Sequence, residues 1–166
     1  MVKKLIIIFV AVAAAVGIYF IFFRETEEQK IRRMLNNLCI DCAKSKESSS
    51  AVSLIVKTDT LKNYFADPCS LSVYKGFMQG NFSDVRAANE IMRANLFFKS
   101  SDLSYYDLHI TVDGDEASVG FSGRFQAVLK SGERIDEVRD VSLQLCKIDN
   151  KWKIKSAEVQ KILQRK

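Results

Sequence analysis

The chain has 166 residues, 48% of them hydrophobic and 27% charged, with seven Gly and one Pro. Those proportions allow one globular domain plus an appendage, and exclude wholesale disorder and collagen-like or Pro-rich repeats. The single His excludes a His-rich metal site, and the net charge of +5 falls to +3 once Lys3 and Lys4 are set aside.

Residues 5–23 read LIIIFVAVAAAVGIYFIFF, 19 residues without a charge. As a helix they would span about 28 Å, close to the hydrocarbon thickness of a bilayer. Tyr19, Phe20, Phe22 and Phe23 gather at one end, as at a membrane interface. The small residues lie inside the run, a bulky stretch follows, and no small-x-small site comes after it. An uncleaved anchor over 1–24 is therefore favoured over a cleaved signal peptide. The basic stub Lys3-Lys4 favours a signal anchor, with residues 25–166 outside the cytoplasm in a periplasm or similar space. Arg24, Lys30, Arg32 and Arg33 argue the opposite way under the positive-inside rule.

Beyond the anchor, Ile31, Met34, Leu35, Leu38, Cys39 and Cys42 form one apolar stripe at helical spacing. Glu25, Glu27 and Glu28 precede it, where a helix dipole favours anions. Ser48-Ser49-Ser50 ends the pattern. Ala51 to Val56 reads equally as helix or strand. Thr58-Asp59-Thr60 would cap a short helix carrying Leu61, Tyr64 and Phe65, ended by Pro68. Leu71 to Tyr74 reads as a short strand. A helix over 84–98 follows, capped by Ser83 or Asn81, burying Val85, Ala88, Ile91, Met92, Asn95 or Leu96, and Phe98.

From Leu103 the period changes from 3.6 to 2. Tyr106, Leu108, Ile110 and Val112 face one way, and His109 the other. Asp113-Gly114 signals a hairpin. Ala117, Val119, Phe121, Phe125, Ala127 and Leu129 share the inner face of the next strand. Val141, Leu143 and Leu145 point inward from a third strand, where Ile135 and Val138 fall out of step and predict a bulge near Glu137. Asp149-Asn150 turns into a fourth strand with Trp152 and Ile154 inward.

This order predicts an α+β fold, with helices packed on a curved antiparallel sheet. The helix Ile31–Cys42, the segment TLKNYFADP and the strands VDGDEASVGFSGRF and DNKWKIKSAEV carry a resemblance to the nuclear-transport-factor-2-like superfamily, over about 30–160. The resemblance implies a partly hollow cone. Leu38, Tyr64, Tyr106, Leu108, Phe121, Phe125, Leu143 and Trp152 would line its pocket. Enzymes of that superfamily place carboxylates inside the cone, and none falls on the clearly inward positions here; Glu137, Arg139 and Glu158 could point inward only near strand ends or past a bulge. Membrane-anchored members serve in type IV secretion assemblies, but their Asn-Pro-x-Gly stretch is absent, since Asp67 precedes Pro68.

Two functions follow as expectations. One is a non-enzymatic, membrane-anchored module that binds a small apolar ligand or a protein partner, or acts as an assembly scaffold or homodimer through its sheet. The other is an enzyme acting on a small apolar substrate. No cofactor, metal or nucleic acid is expected. The basic stretch 147–166 holds seven cations but only Trp152 as an aromatic. Cys39 and Cys42 form a C-x-x-C inside a helix rather than at its start, so they read as packing or disulfide residues, not a redox motif.

Overall fold

A computed structural model of the chain describes residues 25–44, 51–73 and 78–160. The apolar run 5–23, and with it the expected anchor, lies outside the described residues. Among the described residues no helix is long and apolar enough to cross a membrane.

Helix α1, Glu27–Cys42, opens on a capping box. The Thr26 hydroxyl accepts from the Gln29 amide, and the Gln29 side chain accepts from the Thr26 N–H. Its apolar stripe turns inward as expected, with Ile31 and Leu35 buried. Helix α2 runs from Ala51 to Lys62, then β1 from Phe65 to Ser72 and β2 from Gln79 to Phe82. Helix α3, Asp84–Asn95, is capped by the Ser83 hydroxyl, which accepts from the Arg86 amide. Four long strands follow: β3 Phe98–Asp113, β4 Glu116–Leu129, β5 Arg134–Ile148 and β6 Lys151–Val159.

The six strands form one sheet in the order β2-β1-β6-β5-β4-β3. The last four strands pair antiparallel, as the alternation predicts. The sheet as a whole is mixed, because β1 runs parallel to β6. The core lies between the helices and one sheet face, with Ile31, Leu35, Phe65, Leu143, Leu145 and Ile154 at its centre. Leu61, Ala88 and Met92 make a smaller cluster between α2 and α3.

Several expectations are corrected. Helix α2 continues through Thr58-Asp59-Thr60, and Phe65 and Pro68 belong to β1 rather than to a helix end. Pro68 lies between Phe65 and Ser70, where the β1–β6 register shifts, so its missing N–H breaks no ladder bond there. Helix α3 ends at Asn95, and Phe98 opens β3. Val85 and Leu96 are exposed, whereas Asn95 is buried. The β4–β5 register runs without a shift from Glu116–Cys146 to Val128–Arg134, so no bulge exists at Glu137. The bulge is in β3, between Tyr106 and His109, where Asp107 takes φ +53°. It puts Tyr105, not Tyr106, on the face of Leu108 and Ile110. Tyr105 packs against the core and Tyr106 is 45% exposed.

The predicted hairpins form. Asp149 and Asn150 both take positive φ, the backbone twist of a type I′ turn. The first hairpin loop is Gly114-Asp115, one residue later than the spacing suggests.

Candidate functional site

A cavity of about 500 Å³ opens between the inner sheet face and the helices. Strand β4 lays Phe121, Gly123 and Phe125 along it, and β5 adds Glu137, Arg139, Val141 and Leu143. Leu38 and Cys42 reach it from α1, and Ile91 from α3. The two Phe rings are held sideways by β3. Phe121 leans on Tyr105 with centroids 5.6 Å apart, and Phe125 packs edge-on against Phe98 at 5.3 Å. Between them Gly123 carries no side chain. A Cβ there would stand 3.4 Å from Phe121 and from Val141, in ordinary contact. The missing side chain therefore keeps space open on the cavity floor.

Two charged groups border this apolar space. Uninterrupted pairing puts Glu137 opposite Phe125 and Arg139 opposite Gly123, all facing inward. Arg139 donates from Nε and Nη2 to Oε2 of Glu137, at 3.1 and 2.6 Å. Its side chain is 18% exposed, against 47% for Glu137. Glu137 and Arg139, expected to turn inward only near a strand end or past a bulge, thus face the cavity within a regular strand. Continuing the odd-numbered alternation back from Leu145 to Ile135 places both groups inward without any bulge.

Of the eight residues expected to line the pocket, Leu38, Phe121, Phe125 and Leu143 do so. Leu108 packs beside the main core instead. Tyr106 faces away, for the reason given by the β3 bulge. Tyr64 and Trp152 lie in a separate cleft beside α1. The Tyr64 hydroxyl donates to Asp41 Oδ2 at 2.5 Å, and burial together with that carboxylate raises its pKa. Trp152 donates to Glu27 Oε2 at 2.8 Å. His109 is exposed on the outer face of the sheet, away from the cavity.

The four cysteines are free thiols. Burial pushes Cys39 up to about 11 and Cys42 up to about 12, so neither is a ready thiolate. Among the described residues no group of three His, Cys, Asp or Glu side chains is placed to hold a metal ion.

No family model matches the sequence, and no curated protein is similar to it in sequence. Solved structures share its shape. A nuclear-transport-factor-2-like superfamily protein from Salmonella enterica superposes with a TM-score of 0.65, over 83% of this chain and 92% of that one, at 16% identity. A protein from Novosphingobium aromaticivorans, described as having a cystatin-like fold, gives 0.62 over 93% and 90%, at 14% identity. A type 2 hexachlorocyclohexane dehydrochlorinase gives 0.63 over 80% and 83%, at 11% identity. At these identities the likeness is one of fold. The domain shares the fold of these structures, with helices packed on one face of a curved mixed sheet.

Proposed function

We propose that this chain is a membrane-tethered, extracytoplasmic module that binds a small, largely apolar ligand inside the cone and does no chemistry on it. The cavity carries the reading. Its walls are apolar apart from one ion pair, its volume of about 500 Å³ suits a small molecule, and Gly123 keeps its floor open. The tether rests on the uncharged run 5–23. The outer sheet face supports a ligand over a protein partner. It is laced by polar cross-strand pairs, Ser118 with Gln144, Ser122 with Asp140 and Arg124 with Asp136. Such a surface is suited to water rather than to an obligate apolar interface.

The test is calorimetric titration of 1-octanol into the full chain in lipid nanodiscs, with empty discs as the blank. Saturable binding near one per chain is expected, and Gly123→Leu, which fills the floor, should abolish it while Trp152 fluorescence stays native. Heats equal to those of empty discs would overturn the reading.

One observation favours an enzyme as the second reading. Glu137 faces the cavity, and a carboxylate beside an apolar substrate is a candidate proton acceptor. The dehydrochlorinase shows that this fold can hold an enzyme. Under that reading Glu137→Gln would stop turnover and leave binding intact.

A further inference from the structure

We infer that the corner where α1 and α3 end, built around Ile40, Leu96 and Phe97, docks on an anionic lipid surface. The docking stands whether or not the cavity takes a ligand.

Ile40 and Phe97, 69% and 62% exposed, are the most exposed large apolar side chains among the described residues. Leu96 stands beside Phe97, and Val56, also exposed, precedes Lys57. Hydrogen bonds bring these separate segments to one place. Ile40 lies in the last turn of α1, where its carbonyl accepts from the Ala43 amide. Lys57 Nζ donates to the Ala43 carbonyl at 2.9 Å. Asn95 Nδ2 donates to the Cys42 carbonyl, and Lys44 Nζ donates to the carbonyls of Asn95 and Phe98, at 2.9 and 2.8 Å. From the end of β4, the Lys130 amide donates to the Phe97 carbonyl at 3.1 Å.

The charge around these apolar side chains is one-sided. Residues 40–44, 56–57, 95–99 and 129–133 carry Lys44, Lys57, Lys99 and Lys130 against Asp41 and Glu133. The Tyr64 hydroxyl already engages Asp41. Among the described residues no carboxylate forms an ion pair with any of the four lysines. Lys44 and Lys57 donate to main-chain carbonyls, which leaves their charge unneutralised. Burial, and then the neighbouring Lys130 and Lys57, hold the Lys44 ammonium below its ordinary value. The cations thus crowd one another, and an anionic surface would relieve them. A bilayer with anionic headgroups matches both features. Leu96 and Phe97 can enter the boundary between headgroups and acyl chains, while the exposed Lys99 and Lys130 reach the phosphates on their long stems.

The experiment places the full chain in nanodiscs of phosphatidylcholine brominated on its acyl chains, with or without about one-third phosphatidylglycerol. Bromine quenches a tryptophan that enters the bilayer. Phe97→Trp puts a reporter in the patch and Val138→Trp one on the outer sheet face, with wild type, whose Trp152 is buried, as the baseline. In anionic discs the added emission of Phe97→Trp is expected to be quenched at least threefold more than that of Val138→Trp. Omitting phosphatidylglycerol, or adding Lys99→Glu and Lys130→Glu, should cut that quenching at least twofold. Equal quenching at the two positions would overturn the inference and leave the patch to a second copy of the chain or another protein. Quenching that ignores both phosphatidylglycerol and the lysines would overturn it too, since the charge would then select nothing.

Discussion

The indole N–H of Trp152 donates to Glu27 Oε2 across 2.8 Å, joining the last strand to the first turn of the first helix, 125 residues away. Lys147 shares the contact. Its ammonium lies 3.0 Å from the same oxygen and 5.6 Å from the centre of the indole ring. Lys30 holds the other oxygen at 2.8 Å. These four side chains fasten the first turn of α1 to the end of β5 and the start of β6.

Glu27 should therefore make stability depend on acid. Hydrogen bonds from Lys30, then Lys147, hold its carboxyl down to about 2, against the opposing effect of burial. A carboxyl depressed in the folded state stabilises above its unfolded pKa, near 4.5, and that contribution is lost as pH falls towards 2. Its side chain is 32% exposed, so solvent screens the pairs, and Glu27→Gln should cost about 1 kcal/mol at pH 7. The gap in melting temperature between wild type and variant, followed by Trp152 fluorescence, should close between pH 5 and pH 2. A gap unchanged across that range would remove Glu27 from the acid response.

Asn95 should matter more than its apolar neighbour Leu96. Its Nδ2 donates to the Cys42 carbonyl at 3.1 Å, tying the end of α3 to the end of α1. Lys44 closes the same knot by donating to the carbonyls of Asn95 and Phe98. Asn95→Ala leaves buried polar groups unpartnered and should cost about 1–3 kcal/mol. Leu96 is 49% exposed, and Leu96→Ser should stay within about 0.5 kcal/mol. Chemical denaturation of both variants compares them directly; equal losses would contradict the assignment of the buried face.

The strand register gives a third contrast. Leu145 is 1% exposed at the centre of the core, and Leu145→Ala should cost about 2–5 kcal/mol. His109 lies on the outer face, and His109→Ala should cost under about 0.5 kcal/mol. Comparable losses would mean that the faces are exchanged, as a one-residue slip would do.

Much of this arrangement is legible from residue spacing. Helix α1 shows itself because its stripe repeats at 3.6 and Glu-rich residues precede it. Strands β3 to β6 show themselves because long alternations meet at turn residues such as Asp149-Asn150. The unread parts depend on partners distant in the chain. Nothing local in FADPCSLS announces that β1 runs parallel to β6, and Pro68 argues against a strand until the register gap is seen. The β3 bulge directly follows two adjacent tyrosines, so composition alone gives no sign of which one faces inward. The inward facing of Glu137 and Arg139 is legible only as one option. Charged residues on an inner face look like a broken alternation unless a cavity is known to lie beside them.

The C-x-x-C thiols should be slow to alkylate. Burial raises Cys39, with Asp102 adding to it, and burial dominates at Cys42. With Cys42 pushed up to about 12, its thiolate fraction at pH 7.5 is roughly a thousandfold below that of an ordinary thiol. Mass spectrometry after timed iodoacetamide treatment should find Cys42 unmodified at pH 7.5, with reaction appearing only as the domain unfolds. Rapid labelling of Cys42 in the folded protein would show the α1 end to be open.

Sidedness is the last expectation, and it separates the two charge patterns around residues 5–23. The Lys3-Lys4 stub would place the domain outside the cytoplasm, while Arg24, Lys30, Arg32 and Arg33 would hold it inside. In the folded domain Lys30 is paired with Glu27 and Arg33 with Glu25, so both cations belong to a formed, capped helix. A single Cys at Ser131, in an otherwise Cys-free chain, gives an exposed reporter on the β4–β5 turn without replacing a residue of positive φ. A membrane-impermeant maleimide should label Ser131→Cys once the outer barrier is opened, with the inner membrane still sealed. Labelling only after the inner membrane is lysed would place the domain in the cytoplasm, and the ligand would then have to be sought there.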